Sequence, residues 1–213
     1  MSTIAIVDYG MGNIHSVARA LQVAAPAATI RLASTPEQLQ AADRLVLPGQ
    51  GAMPDCMASL HQSGLYDGLL TQAQRKPMLG ICVGEQMLFT HSDEGHTPCL
   101  NLFPGHVRRF SGEAYYSASN PSGLKVPHIG WNRVEHAKPH PIWDTIEPYS
   151  YFYFVHSYYV QPDTSTLCAG TTHYGCTFTS AVARDNIFAV QFHPEKSAQN
   201  GLRLLSNFAQ WNP

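Results

Sequence analysis

The chain has 213 residues, is 44% hydrophobic and carries a net charge of −2, which suits one domain, 1–213, with a sizeable core rather than a disordered segment. Its thirteen basic residues form no stripe, so a nucleic-acid face is not expected, and no apolar run reaches membrane-spanning length. Five cysteines (56, 82, 99, 168 and 176) form no Cys-x-x-Cys pair. That usage favours a reducing cytoplasm and argues against disulfides and structural zinc. The start, Met1-Ser2-Thr3-Ile4, lacks the charged and apolar regions of a signal peptide. No metal-ligand spacing and no cofactor motif stands out.

In chain order, Ile4 to Val7 reads as a buried strand, followed by the Gly-rich loop Tyr9 to Asn13 and a helix over Ile14 to Ala24. A dinucleotide site fails two tests here: His15 replaces the third glycine and Arg31 stands near the expected acidic position. Thr29 to Leu32 is a second strand, and Thr35-Pro36-Glu37 opens a short helix with a hydroxyl cap. Arg44 to Leu47 is a third strand, ending in Pro48-Gly49-Gln50-Gly51, and helical patterns run over Met53 to His61 and Leu65 to Gln74. A fourth strand, Met78 to Ile81, leads to Cys82, with a helix predicted over Glu85 to Phe89.

Beyond about residue 92 the composition turns to β-favouring runs: Val107 to Phe110, Trp131 to Val134, Tyr151 to Val160, Leu167 to Tyr174, Phe178 to Ala183 and Ile187 to Phe192. Tyr115 to Gly123 reads as the most mobile loop. A helix over Ala198 to Trp211 closes the chain, apolar at Leu202, Leu205, Phe208 and Ala209. The alternation predicts an α/β fold: a three-layer, doubly wound, mostly parallel sheet, with a mixed or antiparallel β section in the second half. Sites in such sheets lie beyond the carboxyl ends of strands. Asp8 to Asn13, Pro48 to Gly51, Cys82 and His193 all fall there.

Cys82 lies between Gly80 and Gly84 in a Gly-x-nucleophile-x-Gly elbow, with sulfur as the nucleophile. The turn requires small neighbours and strained dihedrals. The following helix would favour the thiolate, and the Val83 N–H is placed to donate to an oxyanion. Far downstream, His193-Pro194-Glu195 ends a strand-like run. Residues two apart in an extended segment share a face, so a base and its orienting carboxylate come together. Alone, each would be a satisfied strand-end histidine and a solvated charge.

The Gly-x-Cys-x-Gly-x-Gln elbow with a later His-Pro-Glu resembles the triad-type (class I) glutamine amidotransferases. The stretches Asp8 to Asn13, Pro127-His128-Ile129-Gly130-Trp131-Asn132 and Tyr151 to Tyr158 narrow the resemblance to glutaminase subunits of imidazole glycerol phosphate synthases. It covers essentially the whole chain. It implies a Cys82, His193, Glu195 triad that hydrolyses L-glutamine through a thioester. It implies oxyanion donors at Val83 and within Gly49-Gln50-Gly51, and glutamine contacts from Gln86, Glu94, Ser157 and Tyr158. It also implies a heterodimer with a (β/α)₈-barrel cyclase, contacted near Asn13, Tyr153 and Lys196. Two positions depart from the common pattern: Gln50 replaces a small apolar residue, and Glu85 stands where methionine is usual. A charged Glu85 would suit the helix dipole but oppose a thiolate at Cys82. The competing readings are a sibling amidotransferase serving another acceptor, such as a nucleotide-sugar enzyme, a non-catalytic scaffold, and a cysteine hydrolase or peptidase.

Overall fold

The computed structural model describes residues 2–213. In the first half, strands β1 (Thr3–Val7), β2 (Thr29–Ala33), β3 (Arg44–Gly49) and β4 (Met78–Cys82) alternate with helices α1 (Ile14–Ala24), α2 (Pro36–Ala41), α3 (Met53–Gln62) and α4 (Tyr66–Ala73). Then come α5 (Val83–Gln86), β5 (His91–Ser92), β6 (Thr97–Pro98), β7 (Gly105–Arg109), β8 (His128–His136) and β9 (Ser150–His156). The rest is β10 (Tyr158–Pro162), β11 (Cys168–Tyr174), β12 (Cys176–Arg184), β13 (Ile187–Val190) and α6 (Ala198–Gln210). Among the described residues, no helix is long and apolar enough to cross a membrane.

One mixed sheet runs β2-β1-β3-β4-β13-β12-β10-β7-β5-β6, with β11 joining β12 to β8 and β9 on β8. From β2 to β13 the pairs are parallel. At β12 the direction reverses. Residues of β3, β4 and β13 are buried along their whole length. That is the physical meaning of their unbroken apolar runs: helices cover both faces of the parallel part. α1 packs on α6 and α2 on α4, and right-handed crossovers put these pairs on opposite faces. α2 starts with the predicted cap: the Gln38 N–H donates to Thr35 Oγ1 and the Gln38 side chain accepts from the Thr35 N–H.

Three expectations change. The run Tyr151 to Val160 is two strands, because β9 pairs with β8 while β10 pairs with β7 and β12, so the chain changes ladders at Ser157. The elbow helix begins at Val83 and ends at Gln86, earlier and shorter than predicted. Leu88, Leu102 and Phe103 then take the chain into other pairings: Leu88 O accepts from the N–H groups of Leu102 and Phe103. α6 buries Gly201, Leu204, Leu205 and Phe208, a stripe rotated by about one residue from the predicted one, and Leu202 and Ala209 are only partly buried. Hydrophobicity alone overlooked Gly201, where a Cβ would overlap the Pro194 carbonyl. The segment around Tyr115 to Gly123 folds back on itself. Tyr116 N–H donates to Leu124 O, and Tyr115 Oη donates to Tyr174 O at 2.6 Å.

Candidate active site

The site is built at the carboxyl ends of β3, β4 and β13. β4 delivers Cys82, whose φ of 57° and ψ of −114° place a non-glycine residue in a strained conformation. Such a backbone costs of order 1–3 kcal/mol and persists only where its surroundings enforce it. Gly80 and Gly84 permit the close packing that does so. A Cβ on Gly84 would overlap the Leu47 carbonyl of β3, and one on Gly80 would sit 2.9 Å from the Ala189 Cβ of β13. The first N–H groups of α5 have no partner within the helix, which leaves the Val83 N–H free to donate. α5 is a single turn of four residues, so the field expected from a longer helix is small here.

The candidate base comes from the other side. Its segment is not the extended run expected from the sequence: His193 is extended, but Pro194–Lys196 is a 3-10 turn. Proline at the first helical position favours that turn, and the turn brings His193 and Glu195 together. Their Nδ1 and Oε1 atoms lie 2.9 Å apart, with the Glu195 side chain 1% exposed. The backbone is pinned as well. The His193 N–H donates to Tyr153 O at 2.9 Å, and Ser197 Oγ donates to His193 O at 2.6 Å. With Nδ1 committed to Glu195, Nε2 is the atom left for Cys82. Burial by itself lowers the His193 pKa. The contact with Cys82, then Glu195, outweighs it and raises the value from 6.5 to about 10.

Cys82 and His193 open into a cleft of about 340 Å³ that Gln50, Gly51, Val83, Gln86, Glu94, Ser157, Tyr158 and Lys196 also line. Glu195 stands behind His193, while Asn13 and Tyr153 lie outside the cleft wall. The geometry refines several roles. Gln86 Nε2 donates to Tyr158 O at 3.0 Å and to Gln191 Oε1 at 2.8 Å. Both amide donors are thereby used, and only its carbonyl remains for a substrate. Glu94 Oε2 accepts from the Met53 N–H at 2.9 Å at the start of α3, so its carboxylate is held at the cleft rim.

Two neighbours of the candidate site escaped the sequence reading. Gln191, fully buried, links Gln86 to the nucleophile: its Nε2 lies 3.8 Å from Cys82 Sγ. A lone polar residue in the apolar run before His193 was the available signal. His156 lines the cleft, and its Nδ1 donates to Tyr158 O at 2.7 Å, while its Nε2 meets His128 Nδ1 at 2.9 Å. Burial pushes His156 down to about 3 and His128 down to about 4, so both stay neutral. Glu85 also departs from expectation. It is buried without exposure and neither carboxyl oxygen has a partner. Burial, then the proximity of Cys82, holds its pKa well above the carboxylate range. The charged form that would complement a dipole or oppose a thiolate is thereby disfavoured.

The family model for glutamine amidotransferase class-I matches residues 5–211. The chain belongs to the class-I glutamine amidotransferases. Within that family its relatives include the imidazole glycerol phosphate synthase subunit HisH of Aromatoleum aromaticum, 55% identical over 213 residues and the full length of both chains. HisH of Thiobacillus denitrificans is 54% identical over 99% of this amidotransferase and 92% of its own length. Among solved structures, PurLQS from Thermotoga maritima aligns with a TM-score of 0.75 at 14% identity, covering 98% of each chain. Another solved glutamine amidotransferase aligns with a TM-score of 0.71 at 16% identity, covering 97% of each chain. These distant structures share the mixed-sheet α/β fold.

Proposed function

We propose that the chain, as one amidotransferase domain over 1–213, hydrolyses L-glutamine and passes the ammonia to a cyclase subunit in histidine biosynthesis. The observation that carries this is that Cys82 and His193 line one cleft, with Glu195 Oε1 2.9 Å from His193 Nδ1 behind it. Cys82 Sγ attacks the side-chain amide carbon. The oxyanion that forms is held by the Val83 N–H and an N–H of the Gly49 to Gly51 segment. Imidazolium His193 gives its Nε2 proton to the departing nitrogen, which leaves as ammonia. The thioester on Cys82 remains. His193, now neutral, takes a proton from water, which attacks the thioester and releases glutamate and the thiol. Glu195 holds the Nδ1 proton throughout. Gln86, Glu94, Ser157 and Tyr158 position the amino-acid end of glutamine. No metal or cofactor enters these steps.

The partner reading is supported by the relatives' names, which place each of them within imidazole glycerol phosphate synthase. A (β/α)₈-barrel cyclase would use the ammonia to make imidazole glycerol phosphate and aminoimidazole carboxamide ribotide. On β8 and β9, Ile129, Trp131 and Tyr151 are 60%, 51% and 47% exposed, a density of large apolar groups suited to a protein interface. Trp131 packs edge-on against Tyr153, whose backbone holds His193. Asn13, with a side chain free of capping duty, and exposed Lys196 would extend that face. A cytoplasmic setting follows from this pathway.

The test is ammonia release from glutamine by the purified chain, with and without the cyclase barrel and its nucleotide ligand. Stimulation by that partner is expected. A rate that ignores it would move the chain to a different acceptor. Cys82→Ala should lower glutamine-dependent synthesis by at least about 10³-fold, as loss of a covalent nucleophile does, and leave ammonia-dependent synthesis by the partner intact. Equal loss of both would remove Cys82 from its role.

A further inference from the structure

One buried polar side chain beside the Cys82 sulfur has no part in the mechanism. Gln191 directly follows β13 and is fully buried. Its backbone N–H donates to Ser180 O at 3.0 Å, so the ladder with β12 fixes its main chain. The chemistry of its partners decides which end of its amide faces the sulfur. Tyr158 O can only accept, so the Gln86 atom 3.0 Å from it is the amide nitrogen. That nitrogen donates its other proton to Gln191, so the Gln191 atom 2.8 Å away is the carbonyl oxygen. The atom left to face Cys82 is the Gln191 amide nitrogen, and it lies 3.8 Å from Sγ. Val155 O, 3.9 Å from Sγ, can accept from a thiol but gives a thiolate nothing. The other side chains close enough to feel the Cys82 charge, His193, Glu85, Tyr9 and Cys56, all titrate. Gln191 does not.

We propose that Gln191 is a further catalytic residue, a non-titrating N–H donor to the Cys82 sulfur wherever that atom carries charge. This deepens the glutaminase reading and rests on it. The donor acts twice. It favours the thiolate before attack, since a hydrogen bond to the charged form stabilises that form. It acts again once water has added to the thioester. The C–S bond then breaks, its electron pair goes to sulfur, and the oxyanion re-forms the C=O of glutamate. His193 gains and loses a proton during the cycle, whereas the Gln191 amide presents the same N–H throughout. A hydrogen bond to a charged group corresponds to about ten- to hundredfold in an equilibrium. The long contact to sulfur puts this one at the lower end.

The test uses the full chain with its cyclase partner present. Gln191→Met keeps the volume and removes the donor. Its kcat for glutamine hydrolysis should fall about tenfold. Alkylation of Cys82 by iodoacetamide, followed by peptide mass spectrometry, adds a readout that needs no glutamine. The variant should be alkylated about tenfold more slowly than wild type at the acid end of a profile from about pH 6 to about pH 10, where the thiolate fraction limits the rate. At the alkaline end both sulfurs are ionised. There the variant should match or exceed wild type, because a thiolate without its donor is the stronger nucleophile. A merely structural lesion would slow alkylation by one factor across the profile. Gln191→Leu serves if Gln191→Met unfolds. An active wild type whose variant matches its kcat, or whose variant is alkylated at the same rate or slowed equally at every pH, would overturn the donor alone. A wild type that releases no ammonia even with its partner would overturn the glutaminase reading, while the alkylation profiles would still report the contact between Gln191 and the sulfur.

Discussion

Glu85 sits three residues past the nucleophile, and neither of its buried carboxyl oxygens has a hydrogen-bond partner. Its pKa is raised above 4.5, first by burial and then by Cys82. The folded protein thus binds a proton that the unfolded chain releases above pH 4.5. Stability from this group falls as pH rises from there. Glu85→Met, which keeps volume and removes the polar group, should stabilise the fold by about 1–3 kcal/mol at pH 8 and by less at pH 5. Urea unfolding at the two pH values measures it, and a gain independent of pH would refute the buried acid. His193 shifts upward too, but as a base. Its contribution is complete below pH 6.5 and is lost as pH rises through about 10. Against wild type, His193→Gln should flatten the fall in stability between those limits. An identical slope would show that the imidazolium is not held by Cys82 and Glu195.

At the scale of elements, the elbow was legible in the sequence because its demands are local. Glycine spacing around Cys82 follows from sterics within five residues and from the neighbouring strand. Gly84→Ala should therefore destabilise by about 3 kcal/mol or more, since the added carbon meets the Leu47 carbonyl rather than a yielding side chain. Urea denaturation decides it, and a change under about 1 kcal/mol would mean that β3 can move aside. Other element boundaries were not legible. The break at Ser157 has no turn residue to mark it, because it is caused by β9 and β10 pairing with different strands. The 3-10 turn after His193 looked like strand because an apolar run precedes it. The contacts of Ser197 with His193 O and the Tyr153 N–H impose the turn instead.

At the scale of the whole molecule, β9 joins the exposed face of β8 and β9 to the turn that carries His193 and Glu195 through the hydrogen bond from the His193 N–H to Tyr153 O. A partner seated on Trp131 would therefore press on the strand that holds the base. Trp131→Ala should weaken binding of the cyclase partner by about 2–4 kcal/mol, the range of an aromatic anchor, with little change in melting temperature because half of the side chain is already in water. Titration calorimetry provides the measurement. Wild-type affinity in the variant would place the interface elsewhere.

The sequence alone singled out Cys82, His193 and Glu195 as candidate nucleophile, base and orienting carboxylate, and predicted the parallel strands around them. Each of these is written in residues close along the chain, as glycine spacing, unbroken apolar runs or a His-Pro-Glu triplet, and short-range sterics are enough to read them. Only the tertiary structure decided that Gln86 spends its donors on Gln191 and Tyr158, that burial disfavours the charged form of Glu85, and that Tyr9 and Cys56 hold the carbonyls of Pro48 and Gln50. Those properties depend on burial and, for Gln86 and Tyr9, on partners about forty to more than a hundred residues away. Packing of the sheet and its helices sets both, and no local pattern encodes which distant side chains will meet.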